Sequence, residues 1–364
     1  MPVEDPEDAS VAVRRADIYF KGARLMNTPG LLKCAGAVVA LAIVSACGSG
    51  SVVAPSAATF NTSYVGKTLL VNGRPVAAAR LNPMPRYAEL VPDKRSKKDY
   101  EYIFNLYGTY GSIFNYPKST EMIGQLNGAG GQGCTNVLYG YGKKIVWNAG
   151  RTNDLITEYK VPNNKVLKTL SLPYTFTSSC AMNTSGDIAV GVLLGNSYGA
   201  GGQVVIFKNA KGSGTVYDTP LAREYFNGYD SNGNLFADGF DLSYNFALVE
   251  LPKGSSKFVT IKTSNSPEFP GSVQWDGTYV TVFDQLTNET YQYTVSGTTA
   301  TLQNTVQLSG SSDCAQTWIV KGLLYCADAG NNDGEVFKYP AGGSPIATLT
   351  GNFDLPLGVT AAKK

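Results

Sequence analysis

From about residue 99 to the C-terminus the chain repeats itself, and no other feature restricts its fold as strongly. A turn glycine stands at Gly142, Gly186, Gly233, Gly277 and Gly322, at intervals of 44, 47, 44 and 45 residues. The contexts NTSGD, DSNGN and QWDGT are hairpin turns, in which Gly beside Asn or Asp supplies positive φ. A second landmark closes an apolar strand at Asn105, Asn148, Gly191, Asp238, Asp284 and Asp328. The stretches KKIVWN, NLFAD, YVTVFD and LLYCAD that lead up to it are dense in β-branched and aromatic residues. A third marks the end of the next strand, as in SIFNYP, ITEYKVP, FALVELP and EVFKYP.

A period of about 45 residues holding several short strands is that of a β-propeller, and no sustained 3.6-residue pattern argues for a helical array. The reading is an all-β chain, a six-bladed β-propeller over residues 99–364. A propeller blade buries its faces only against its neighbours, so the ring has to close. Phe353-Asp354-Leu355-Pro356-Leu357-Gly358-Val359 reads as the first strand of a unit that never continues. It is predicted to supply the inner strand of the blade that starts near Tyr100. Seven blades are the alternative, with residues 60–98 as a degenerate blade.

Composition agrees. Of 364 residues 16% are charged and 40 are glycine, with a net charge of +2. Soluble domains average about 25% charged residues, and low charge with many glycines suits sheets buried on both faces and joined by many turns. The small net charge gives no sign of a nucleic-acid partner. The chain contains no histidine. That excludes Ser-His-Asp and Cys-His catalysis, imidazole-bound zinc and His-ligated haem, and leaves carboxylates, tyrosines and oxygen-bound metals such as calcium.

Residues 34–46, CAGAVVALAIVSA, form an uncharged apolar run preceded by Arg24 and Lys33. A membrane-spanning helix needs about 20 such residues, whereas a run of this length suits the core of a secretory signal. Val44-Ser45-Ala46-Cys47-Gly48 resembles the lipobox of bacterial lipoproteins, in which the cysteine is lipidated and becomes the first mature residue. Met26 opens a more ordinary signal than Met1 does. The expected organisation is a signal segment over 1–46, a lipid-anchored tether over 47–98 and the propeller over 99–364. The tether begins GSGSVVAPSAA and ends in the basic cluster Lys94-Arg95-Ser96-Lys97-Lys98. The implied location is the bacterial cell envelope, held to a membrane and facing away from the cytoplasm.

Cys134, Cys180, Cys314 and Cys326 remain in the propeller, and four cysteines allow three pairings. Cys314 and Cys326 flank one predicted hairpin. Cys134 and Cys180 stand 46 residues apart at equivalent places in neighbouring units. Bridges within each of these pairs suit an oxidising compartment; four buried thiols are the alternative.

The stretches NYPK (115–118), GYDSNGNLF (228–236), ELPKGSS (250–256), FPGSVQWDG (269–277) and KYPAGGSP (338–345) resemble six-bladed propellers of the NHL, YVTN and SMP-30-like group. They are most similar to bacterial secreted and lipoprotein propellers without an assigned activity. The resemblance implies the fold and carries no reaction with it.

Candidate sites follow from the repeat. The ladder Asn105, Asn148, Asp238, Asp284 and Asp328 is either a ring of oxygen donors or a set of turn-forming acceptors; its regular recurrence favours the second. Asp328, Asn331 and Asp333 lie in the most oxygen-rich loop and are the candidate calcium ligands, though no other cofactor is expected and the EF-hand spacing is absent. Tyr225, Tyr229, Trp275 and Trp318 fall near predicted inner strands, where they either line a ligand-binding channel mouth or fill contacts between blades. GAGGQG at 128–133 matches GxGxxG but runs into a strand, which makes it an inter-blade loop. The preferred function is a monomeric binding module that takes a protein, peptide or carbohydrate at its rim. The alternative is a metal-dependent enzyme resembling lactonase or lyase propellers. Metabolic labelling with a fatty acid tests the anchor: the native chain incorporates label and Cys47→Ser does not.

Overall fold

The computed structural model describes residues 99–106, 110–150, 154–173, 176–195 and 201–364, with the backbone of three short strands before them. The chain divides into two compact units, Met1–Pro85 and Arg86–Lys364. In the first, β1 (Thr62–Val65), β2 (Thr68–Val71) and β3 (Arg74–Val76) form a three-stranded antiparallel sheet inside the segment expected to be a tether. The signal segment, Cys47 and the basic cluster lie outside the described residues.

Among its described residues the second unit is built of strands, with one turn of 3-10 helix at Lys208–Ala210. In chain order they are β4 (Asp99–Asn105), β5 (Tyr110–Asn115), β6 (Ser119–Asn127), β7 (Gly131–Cys134), β8 (Gly142–Lys143), β9 (Ile145–Gly150), β10 (Leu155–Lys160) and β11 (Lys165–Ser171). There follow β12 (Thr177–Met182), β13 (Ile188–Val192), β14 (Gln203–Phe207), β15 (Thr215–Asp218), β16 (Arg223–Tyr229), β17 (Leu235–Phe240), β18 (Phe246–Leu251) and β19 (Val259–Thr263). The last are β20 (Val273–Trp275), β21 (Val280–Asp284), β22 (Glu289–Ser296), β23 (Thr299–Gln307), β24 (Cys314–Val320), β25 (Leu323–Asp328), β26 (Asp333–Lys338), β27 (Gly342–Leu349) and β28 (Pro356–Lys363).

These strands form sheets in a propeller-like arrangement. β7-β9-β10-β11, β12 to β15 and β24 to β27 are four-stranded sheets, and β6-β5-β4-β28-β8 is five-stranded. β16 to β19 and β20 to β23 are two antiparallel runs within one eight-stranded sheet. They join only where Lys262 and Thr263 of β19 lie parallel to Thr299 and Ala300 of β23. Isolated parallel bridges of the same kind link outer strands elsewhere, at Glu121–Thr350 and Leu308–Gly343.

Burial explains the composition. Every residue of the inner strand β24 is buried, while the outer strand β27 alternates. Strands covered on both faces read as near-continuous apolar runs, which leaves little room for charge. β28 pairs antiparallel with β4 from Pro356–Asn105 to Lys363–Asp99, so the C-terminus supplies the inner strand of the first sheet, as the sequence predicts. Its other side meets β7. A Cβ on Gly358 would overlap the Gly131 carbonyl, so this approach requires glycine. The GAGGQG stretch is the connection from β6 into β7, with no helix after it.

Both expected disulfides form. Cys134–Cys180 joins the inner strands β7 and β12, with Cα atoms 5.7 Å apart; Cys314–Cys326 joins β24 and β25 at 5.5 Å. They close loops of 46 and 12 residues. Chain entropy assigns about 4 kcal/mol to the longer loop and about 3 kcal/mol to the shorter. Denaturant unfolding is therefore expected to rank Cys134→Ala/Cys180→Ala below Cys314→Ala/Cys326→Ala in stability, and equal losses would count against the entropic account.

Candidate functional site

The inner strands β7, β12, β16, β20, β24 and β28 adjoin in that order around a channel, and clasps cross between them. Between β7 and β12 the clasp is the Cys134–Cys180 disulfide. Between β12 and β16, Ser178 and Ser179 donate to the Glu224 carboxyl group, and Asn227 Nδ2 donates to Ser179 Oγ at 2.6 Å and to Glu224 Oε1 at 3.1 Å. Gly271 N, leading into β20, donates to Asp238 Oδ2 at 2.9 Å. Thr317 N of β24 donates to Ser272 Oγ at 2.6 Å, and Ile319 N to Gln274 Oε1 at 2.7 Å. Gln316 accepts from Val359 N of β28 at 2.9 Å and exchanges two 3.1 Å bonds with the Gly133 backbone of β7.

Residues 135–141, between β7 and β8, cross the distal end, where the inner strands finish. The Leu138 carbonyl accepts from Gln274 Nε2 and the Gly140 carbonyl from Trp318 Nε1, both at 3.1 Å. Tyr139 OH accepts from Gly322 N at 3.1 Å, and Tyr141 OH donates to Glu101 Oε1 at 3.3 Å. A cavity of about 30 Å³ remains, lined by the disulfide, Asn227, Ser272 and Gln316. That is room for about two or three water molecules.

The four candidate aromatics part company here. Tyr229 and Trp318 are buried and Trp275 is half-buried, and all three line this small cavity. Together with the amide clasps between the inner strands, these rings leave little space along the channel. Tyr225 lies elsewhere, on the rim.

The ladder residues tie turns to strands. Asp284 accepts from the backbone N–H groups of Glu268, Phe269, Leu286 and Thr287, at 2.6 to 3.3 Å. Asp328 accepts from those of Ser312, Asp313, Gly330 and Asn331, at 2.7 to 3.0 Å. Asn105 Oδ1 accepts from Asp354 N at 2.9 Å, and Asn148 Nδ2 donates to the Gln132 carbonyl at 3.1 Å. At Gly191 the rung is missing, and the Glu224 carboxyl group from the next inner strand fills its place: a Cβ on Gly191 would overlap it. Sequence reasoning singles out Gly191 as the exception in the ladder but does not find Glu224, since the two are 33 positions apart.

Of the calcium candidates, Asp328 is committed to those four N–H groups and Asn331 Nδ2 points at Asp328 Oδ2 from 3.3 Å. Cys314, Cys326, Asp328 and Glu335 cluster, but the cysteines are bonded to each other, which leaves two carboxylates. Asp333 is pushed up to about 6 by burial and then by the Asp328 charge, and Glu335 up to about 7 by burial.

The exposed chemistry sits at the proximal end, where the inner strands begin. Tyr225, Phe240 and Phe269 meet edge to face, with ring centroids 5.2 to 5.6 Å apart. Tyr244 lies 6.5 Å from Phe240, and Arg223 stands over the Tyr244 ring at 5.6 Å. The Asp241 carboxylate accepts from the N–H groups of Ser243 and Asn245, at 2.8 and 2.9 Å, and so builds the turn that presents Leu242 and Tyr244, which are 83% and 65% exposed. Sequence reasoning misses Phe240, Leu242 and Tyr244. The signal was there: DLSYN carries apolar residues at a turn tip where NTSGD and DSNGN carry polar ones.

No protein-family model matches the chain, and no curated protein matches its sequence. Solved structures do match. A chain of a nidogen/laminin complex aligns with TM-score 0.54 at 12% identity, covering 72% of this chain and 98% of that one. A Bacteroides caccae protein of unknown function aligns with TM-score 0.53 at 13% identity, covering 73% and 100%. The fold is a β-propeller. At such identity the likeness reaches no further than the fold.

Glu224 generates a pH prediction. Complete burial pushes it up to about 7 from an ordinary 4.5, against the lowering by Ser178, Asn227 and Ser179. Below 4.5 it is protonated folded or unfolded; between 4.5 and about 7 only the folded chain keeps the proton; stability therefore falls as pH rises through that window. The loss is about 3 kcal/mol. Glu101, raised by burial to about 8, acts in the same direction. Glu224→Gln is expected to match the native chain in urea midpoint near pH 4.5 and to exceed it near pH 8.

Proposed function

We propose that this chain is a binding module: a six-bladed propeller of the NHL, YVTN and SMP-30-like group that takes its ligand on the proximal rim. The count of six reads the eight-stranded sheet as two blades, because a single two-residue parallel contact joins its halves and similar bridges link outer strands elsewhere. The observation that carries the function is the contrast between a channel filled to about 30 Å³ and a rim corner where Leu242 and Tyr244 stand exposed beside three packed aromatic rings. Exposed large apolar side chains grouped at one place mark interaction sites far more than scattered ones do. The ligand is a protein, peptide or carbohydrate. The module acts as a monomer in the bacterial cell envelope, held to a membrane by a lipid on Cys47 and facing away from the cytoplasm.

The metal-dependent lactonase- or lyase-like reading draws on less. Asp238, Asp284 and Asp328 accept backbone hydrogen bonds, and Glu224 is locked in a seam. In the candidate calcium loop Asp333, whose Oδ1 is buried without a hydrogen-bond partner, is the carboxyl group left to it. Screening the mature chain against glycan and peptide arrays tests the binding reading. Leu242→Ala/Tyr244→Ala is expected to lower the affinity of any ligand found at least tenfold with little change in Tm, since both side chains are mostly exposed. Binding that survives this variant would place the site elsewhere.

A further inference from the structure

β18 is paired along its whole length on one side and only partly on the other. With β17 its register runs from Leu235–Leu251 to Phe240–Phe246, but with β19 it covers only Leu248–Ile261 to Glu250–Val259. Lys262 and Thr263 swing instead toward the next sheet: Lys262 N donates to the Thr298 carbonyl at 2.9 Å and Ser264 N to the Ala300 carbonyl at 3.0 Å. The two strands therefore diverge. A cavity of about 360 Å³ lies in the wedge, with the apolar Phe246, Leu248 and Ile261 on its wall beside the polar Asp241, Lys262, Thr263 and Asn265.

Backbone alternation says what faces this wedge. Asp241 N donates to the Asn245 carbonyl at 2.9 Å, so 241 and 245 turn their backbone groups toward each other. In an antiparallel pair the next residues turn theirs outward. Phe246 thus points its N–H and C=O away from β17, into the space that Thr263 would have filled had β19 stayed in register. A donor and an acceptor on one residue of an unfinished strand edge are what an extended backbone satisfies. The exposed Leu242 and Tyr244 stand directly before this strand, and Phe240 is the cross-strand partner of Phe246.

We propose that the rim corner binds an extended peptide by strand addition at Phe246, with one large apolar side chain of the peptide in the wedge and its flanking residues over Leu242 and Tyr244. The proposal rests on the rim-binding reading and narrows its ligand to a peptide. An N–H and a C=O set at strand spacing match a peptide backbone better than they match sugar hydroxyl groups, and of the polar side chains nearby the Asp241 carboxylate is engaged in its own turn and Thr263 Oγ1 in donating to the Asn265 carbonyl.

The test uses the mature chain, a random-sequence peptide display library and a glycan array in parallel. The library is expected to yield peptides sharing one large apolar position. N-methylation of the single backbone nitrogen that pairs with Phe246 is expected to weaken binding more than tenfold, while methylation of either neighbouring nitrogen has little effect. Leu242→Ala/Tyr244→Ala and the wedge-filling Thr263→Trp, each checked by Tm, are both expected to weaken binding tenfold or more. Peptides that bind without this single-position dependence, or that ignore both variants, overturn the inference. Glycan binding that depends on Tyr244, with no peptide selected, overturns the inference and leaves the rim reading standing. If neither array yields a ligand, both fall.

Discussion

Closure of the ring is the constraint on which everything else depends. Each sheet hides its faces only against its neighbours, so a single open seam would expose apolar surface on both sides of it. β28 closes the circuit by crossing from the C-terminus to β4, and Gly358 and Gly131 let it approach β7. Around the inside, directed links cross from strand to strand, with Gln316 of β24 holding both β28 and β7. One is covalent, one is a buried carboxyl group held by two serines and an asparagine, and the rest are amide, hydroxyl or carboxylate groups bonded to the neighbouring backbone.

Those same links decide where function is to be sought. Gln274 and Gln316 satisfy the inner-strand backbone that a wider channel would leave to water or ligand. The 135–141 segment then covers the distal end with Leu138 and Gly140 carbonyls bonded to Gln274 and Trp318. The carboxylates nearest the centre became structural in the process, since a buried acceptor is costly unless donors surround it. Among the described residues the two most exposed large apolar side chains, Leu242 and Tyr244, stand on the rim, where β19 leaves β18 and the Asp241 turn lifts them into solvent.

The repeat made most of the architecture legible. Turn glycines and strand-ending Asp or Asn residues are local requirements of each unit, so they recur wherever the unit does. The same spacing placed Cys134 and Cys180 on neighbouring inner strands. Glu224 was not legible, because its role exists only in relation to Gly191 on another sheet. The aromatic candidates stayed open to two readings for a related reason. Tyr229, Trp275 and Trp318 line the cavity, but whether a lining ring frames an opening or fills it depends on how far apart the strands stand, and Gln274 and Gln316 set that distance.

The sequence by itself determined a repeating all-β chain, its closing strand, the favoured cysteine pairs and the absence of imidazole chemistry. Each of these follows from residue type and spacing along the chain. Tertiary structure alone decided that the channel is filled, that Glu224 replaces a missing rung, and that β19 diverges to leave the Phe246 edge open. Those outcomes depend on distances between segments far apart in sequence, where packing chooses among arrangements that local pattern leaves equal.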